Sequence, residues 1–119
     1  MTQFDHDKLD AYHAAIDFFA IADAIIAELP KGRSKLADQL SRAALSICAN
    51  IAEGAGEFSS DAKANFYRIA CRSATECAAI LDACVRVRIA DENLTAKGRV
   101  ILVRIVSMLT KLAKRHQSA

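Results

Sequence analysis

The chain has 119 residues, of which 53% are hydrophobic and 25% are charged, and its net charge is +2 at pH 7. This length predicts one domain, residues 1–119, whose core needs no disulfide or metal to hold it together. Four glycines and one proline leave little room for turns, so long helices with few connections are expected. The chain lacks the apolar run of roughly 18 residues that a membrane span requires, and its acidic N-terminus does not have the order of a signal peptide. These features predict a cytoplasmic protein with no membrane partner.

The four cysteines do not follow the spacing of a metal site. They lie 23, 6 and 7 residues apart, so no C-x-x-C pair occurs. Reduced cysteine packs as a small apolar residue, and we expect this role for all of them: Cys48, Cys71, Cys77 and Cys84.

The first predicted helix, about 6–29, is apolar on two sides. Asp5 is a fair N-cap, and Pro30 stops the helix. A helix of a monomeric bundle needs only one apolar stripe, so the second stripe predicts contact with another protein chain. The alternative is a buried first helix, or a curved bundle that covers both sides. One stripe contains Leu9, Tyr12, Ile16, Phe19 and Ile26, and the other, assigned to the interface, contains Phe18, Ile21, Ile25 and Leu29.

The second helix is predicted over about 34–53, and its sequence from residue 39 is QLSRAALSICANIAEG. Ser34 is the expected N-cap, and apolar residues recur every three or four positions on one face. Small residues occupy much of the remainder, so neighbouring backbones can approach closely. Gly54 is expected to end the helix in the left-handed conformation.

The third and fourth helices are predicted over about 60–89 and 92–115. Ser59 or Ser60 caps the former, and Asp91 caps the latter. Val103 and Val106 fall outside the core face of the fourth helix, which adds them to the predicted interface. Short connections force neighbouring helices to run in opposite directions. The sequence therefore predicts an all-α fold, an antiparallel up-down-up-down four-helix bundle.

Charge is unevenly distributed along the chain. Residues 1–30 carry a net charge of −5, and residues 91–119 carry +4. One interpretation, which charge alone favours, is a ladder of surface ion pairs that joins Asp17 to Arg104 and Asp10 to Lys111; each such pair contributes about 0–1 kcal/mol. The alternative is a surface that binds RNA or DNA phosphates. Its residues would be a stripe on the fourth helix and two arginines before it: Lys97, Arg104, Lys111, Arg115, Arg86 and Arg88.

Catalytic signatures are not found in the sequence. A di-iron bundle needs Glu-x-x-His motifs, and none occurs here. Glu53 and Glu76 have no nucleophile or oxyanion site predicted beside them, so hydrogen bonding between helices is the role we expect for both. We interpret the chain as non-enzymatic, with no cofactor, metal or small-molecule substrate. A stripe on the first helix is interpreted as a solvated face, and a metal-dependent enzyme built on it is a third alternative: His6, Asp10, His13 and Asp17.

The middle of the chain resembles a known family. The order QLSRAALSICANIAEG, a short loop, a serine cap and NFYRIACRSATEC is similar to small bacterial four-helix-bundle proteins, some of which are encoded by intervening sequences inside large-subunit ribosomal RNA genes. The family pattern is roughly Q-L-R-R-A-x-x-S-I-x-x-N-I-A-E-G and then F-x-x-I-A-x-G-S-x-x-E-L. The matching is densest over residues 39–77, and its motif positions include Arg42, Ser46, Asn50, Glu53, Gly54, Ser73 and Glu76.

The resemblance implies a left-handed up-and-down bundle that assembles into a homopentameric ring. It also implies an association with nucleic acid, which is suspected for relatives such as the accessory subunits of diversity-generating reverse transcriptases. The resemblance implies no catalytic residues. The chain departs from the pattern at Ser41, where the family often has arginine, and at Glu57, where the loop is often basic. Arg72 stands in place of the usual glycine, and Ala62 removes the glutamate of a capping box.

Overall fold

The computed structural model describes residues 3–117, and four α-helices account for most of them. Among these residues there is no strand, and no helix is long and apolar enough to cross a membrane. A 3-10 turn precedes the first helix, and another connects it to the second. The helices are α1 (Asp10–Glu28), α2 (Ser34–Gly56), α3 (Ser60–Arg86) and α4 (Glu92–His116).

The helices pack as a bundle. Each one contacts the next along the chain, and α1 also contacts α4. All four helices contribute to one hydrophobic core. Its largest fully buried aliphatic and aromatic side chains are Phe18, Ile25, Leu40, Ile47, Ile51, Leu81, Ile105 and Leu109.

Two of the predicted N-caps are confirmed. The backbone N–H of Ala62 donates to Ser59 Oγ at 3.1 Å, and that of Asn93 donates to Asp91 Oδ1 at 2.7 Å. The Asp5 and Ser34 caps are wrong. Asp5 begins the 3-10 turn Asp5–Lys8, and Ser34 is already the first helical residue of α2.

The C-terminus of α2 also differs from the prediction. Gly54 is helical rather than left-handed, and the helix continues to Gly56. Gly54 allows close packing instead, because a Cβ placed there would lie 2.8 Å from the Tyr67 ring on α3. Lys63 of α3 caps the end of α2, since its Nζ donates to the carbonyls of Gly54 and Ala55 at 3.2 and 2.8 Å.

The end of α3 comes before the predicted Ile89 because Arg88 adopts the left-handed conformation, with φ of 61°. The N–H of Ile89 donates to the carbonyl of Cys84, and the N–H of Arg88 donates to that of Val85, both at 3.0 Å. This pair of bonds is the Schellman motif, in which the left-handed residue is usually glycine. Arg88 therefore ends the helix at a position that disfavours its own side chain.

We predict that Gly54→Ala destabilises the protein although alanine is the better helix former. The new methyl group would press on the Tyr67 ring, and such overpacking costs about 1–3 kcal/mol, which exceeds the gain of about 1 kcal/mol in helix propensity. Urea denaturation measures the difference. Gly56→Ala is the control, because nothing lies within 4 Å of the position that its Cβ would occupy; equal stability of the two variants would contradict the prediction.

Candidate interaction surfaces

The outer face of α4 is a row of small and apolar side chains that solvent reaches. Val100 is 63% exposed and Val103 is 65% exposed. The spacing of the row alternates between four and three residues, as in the seam of a coiled coil. We call it the α4 outer face, and it consists of Ala96, Val100, Val103, Ser107 and Thr110, all exposed.

A shallow apolar groove runs beside this face, between α3 and α4. Its volume is about 210 Å³, and Val103 and Val106 form part of its wall. Val106 is half-buried. Val103 belongs both to the groove and to the α4 outer face, and the groove is lined by Ala74, Thr75, Ala78, Arg99, Leu102, Val103 and Val106.

The predicted interface residues of α1 are corrected by their burial. Phe18 and Ile25 are 0% exposed within the single chain, so neither side chain can contact a second copy. Ile21 and Leu29 are half-buried and pack against the same core. The stripe that the sequence assigns to an interface is thus the core side of α1.

The exposed side of α1 is the opposite one. Ile16 is 42% exposed, and it continues into a row with the same alternating spacing of three and four residues. We call this row the α1 outer face, and it consists of His13, Ile16, Ala20, Asp23 and Ala27, all exposed.

The basic stripe on α4 is exposed and lacks the predicted ion pairs. Within residues 3–117 the salt bridges are His6–Asp7 at 3.8 Å and Asp82–Arg99 at 2.6 Å. The predicted ion pairs between α1 and α4, Asp17–Arg104 and Asp10–Lys111, are therefore wrong. The stripe residues Lys97, Arg104, Lys111 and Arg115 have no carboxylate within 4 Å in this part of the chain.

The six candidate phosphate ligands do not form one patch. Lys111 and Arg115 line an open pocket on the α1 side of α4, together with Asp10. Arg86 lines a different pocket, between α3 and α4, which also holds Asp82 and Arg99. Arg88 lies in the turn after α3 and is exposed.

The polar positions of the α2 and α3 motif form a small hydrogen-bonded network between the helices. Ser46 Oγ and Ser73 Oγ are 2.8 Å apart. Asn50 Nδ2 donates to the carbonyl and the hydroxyl of Ser46 at 2.9 and 3.0 Å. Ser73 is 9% exposed, so its hydroxyl depends on this partner. The family motif contains all three residues, but their spacing in the sequence does not show that they bond to one another.

The charged motif positions lie outside this network. Arg42, Glu53 and Glu76 are exposed. The hydrogen bond between helices that was expected of the two glutamates is made by the serines instead. Glu53 lines an open pocket with the N-terminal residues Phe4, Asp5 and His6, beside the end of α2.

The histidine and aspartate stripe of the N-terminal segment is used in local contacts. His13 Nε2 lies 2.8 Å from the carbonyl oxygen of Asp7, and the His6 ring lies against the Tyr12 ring with centroids 4.4 Å apart. Across residues 3–117, no three side chains of His, Cys, Asp or Glu are grouped so that they would hold a metal ion.

Three of the four thiols, those of Cys48, Cys77 and Cys84, lie in the core. Burial raises the pKa of the Cys48 thiol to about 11 and that of the Cys77 thiol to about 12. Both therefore stay protonated at neutral pH and behave as apolar groups. Cys71 is half-buried beside Val106 and Thr110 of α4.

Comparison with known proteins identifies the family of this chain. The model of the 23S rRNA-intervening sequence protein family matches residues 7–111. The chain belongs to this family. The match extends over all four helices, and so it exceeds residues 39–77, where the sequence motif is densest. A search of curated proteins gives no match.

A solved relative shares the fold of this chain. It is a protein of unknown function from the S23 ribosomal protein family of Bacteroides thetaiotaomicron, solved by crystallography. The two chains are 20% identical with a TM-score of 0.79, over 87% of this chain and 98% of the other. At this level of identity the likeness concerns the fold alone.

We predict that the serine pair of this family member contributes a measurable coupling energy. Ser46→Ala removes the bonds to Ser73 and Asn50, and the loss should be about 1–2 kcal/mol. Ser73→Ala and the double variant complete a cycle, whose coupling we expect to be about 0.5–1.5 kcal/mol in urea denaturation. Thr75→Ala is the control, because its hydroxyl is exposed and donates only to Cys71 O one turn earlier; additive effects of the two serines would refute the coupling.

Proposed function

We propose that this family member is a non-enzymatic four-helix bundle that assembles with copies of itself into a ring. The observation that carries the proposal is the pair of exposed valines, Val100 and Val103, beside the apolar groove between α3 and α4. Isolated exposed apolar residues are common, but a continuous apolar surface is typical of an interaction site. We propose five subunits, the number that the family resemblance implies.

We also propose that the four helices run up-down-up-down. Contacts between α3 and α4 support this order, since Cys71 lies near Val106 whereas Asp82 pairs with Arg99. Residue numbers thus rise along one helix and fall along the other. Contacts between α2 and α3 support opposite directions for these two helices as well, because Ser46 lies beside Ser73 and Gly54 lies beside Tyr67.

A cytoplasmic location is part of the proposal. Free cysteines in the core are usual in reducing compartments, where disulfides are rare.

We predict that Val103→Arg weakens self-assembly without unfolding the chain. The substitution places a charge in the apolar surface at a position that is 65% exposed, so the folded chain itself accommodates it. Light scattering during gel filtration should give several times the 12.9 kDa chain mass for the wild type and a lower mass for the variant. Leu45→Arg is the control, at a leucine of α2 that is 57% exposed. A monomeric wild type at about 50 µM would end the proposal.

A second candidate function is binding of RNA or DNA. The observation that favours it is the basic stripe, whose cations have no carboxylate within 4 Å among residues 3–117, and the family description names a ribosomal RNA intervening sequence. Unpaired cations in a row are suited to phosphate contacts, which release counterions and so weaken with salt.

We predict for this candidate that replacing Lys97, Arg104 and Lys111 with alanine weakens binding and flattens its salt dependence. Each lost phosphate contact should reduce the slope of log K against log salt by about 0.7–0.9. The slopes are measured by filter binding of structured RNA and of duplex DNA at salt concentrations from about 50 to about 200 mM. The control replaces Lys31, Arg33 and Lys35, three exposed cations in the 3-10 turn before α2 and the first turn of α2. Equal slopes for the two triple variants would exclude the stripe.

A further inference from the structure

The helices α1 and α4 carry net charges of opposite sign. Between Asp10 and Glu28 there are four carboxylates and no lysine or arginine. Between Glu92 and His116 there are six lysines and arginines and one carboxylate. All of these charged side chains are exposed. The two helices are therefore surfaces of opposite sign.

Both outer faces have the residue spacing along which another helix can pack. The α1 outer face and the α4 outer face each repeat with alternating steps of three and four residues, and each is made largely of small or apolar side chains. Such spacing lets side chains of one helix insert between those of another. Asp23 lies within the α1 row, and the exposed Lys114 follows Thr110 by four residues at the end of the α4 row, so the two seams also differ in sign.

The two faces of one chain cannot meet each other. Within the chain, α1 and α4 already pack together on a different side, where Ile21 and Phe18 lie close to Gly98. The outer faces contain other residues, and those residues are exposed. Only a second molecule can therefore cover either face.

We propose that the outer face of α4 in one copy packs on the outer face of α1 in the next copy. The pairing of a cationic helix with an anionic one is attractive, whereas α4 on α4 or α1 on α1 would bring like charges together. An interface between two different surfaces of the same chain is heterologous, and it propagates from copy to copy; it gives the proposed ring when the rotation between copies closes. This inference rests on the proposed self-assembly and specifies which surfaces carry it.

Blocking the two faces separately tests the inference. Ala20→Arg places a long cation on the α1 outer face, and Val103→Arg places one on the α4 outer face; both positions are exposed, and thermal unfolding checks that each variant is folded. We expect each variant alone to associate at least tenfold more weakly than the wild type by analytical ultracentrifugation. An equimolar mixture should form pairs of twice the 12.9 kDa chain mass, because each variant keeps the one intact face that the other needs.

The possible outcomes separate this inference from the proposed function. If wild type assembles and Ala20→Arg assembles equally well, or if the mixture gives no pairs, the α1–α4 contact is wrong while self-assembly stands. If the wild type is a monomer, both fail. Leu45→Arg is the control for an added surface cation; it should assemble as the wild type does, and a loss of assembly in this variant would also overturn the assigned surfaces.

Discussion

The bundle depends on the space that Gly98 leaves where three helices meet. A Cβ at that position would lie 3.1 Å from Leu81 of α3 and 3.3 Å from the ring of Phe18 of α1. The missing side chain lets both groups pack against the backbone of α4, and the Phe18 ring becomes fully buried. Because that ring points inward, the rotation of α1 about its own axis is fixed. Ile16 and the alanines on its side of the helix consequently face solvent.

Small side chains determine how closely α2 and α3 approach. Gly54 accepts the Tyr67 ring, and the hydroxyls of Ser46 and Ser73 meet across the interface at 2.8 Å. Several residues that carry the family likeness therefore serve packing and the hydrogen bonds that packing requires. Arg42, Glu53 and Glu76 are exposed motif residues, and no contact within the bundle accounts for their charges.

Both proposed functions, self-assembly and binding of nucleic acid, involve α4. Its apolar row and its basic stripe occupy adjacent sides of one helix, so self-assembly and nucleic-acid binding would use neighbouring surfaces. Opposite charge on α1 favours another copy of the chain as the partner of this helix, because association then satisfies both charged surfaces at once. Phosphate would satisfy the cations alone and would leave the exposed valines in water.

The sequence by itself determined the number of helices and the residues at which several of them begin or end. Pro30, Ser59 and Asp91 act on backbone groups within a few residues of themselves, so local chemistry is enough. Only the tertiary structure decided which apolar side of α1 is the core, and it also showed Gly54 to be a packing residue. Helical spacing defines two faces of α1 but does not show which of them is buried, because the choice depends on Gly98 and Leu81, which are far from those faces in sequence. The exposed surfaces follow from that choice, and for this reason Phe18 and Ile25, which the sequence predicts at an interface, lie in the core.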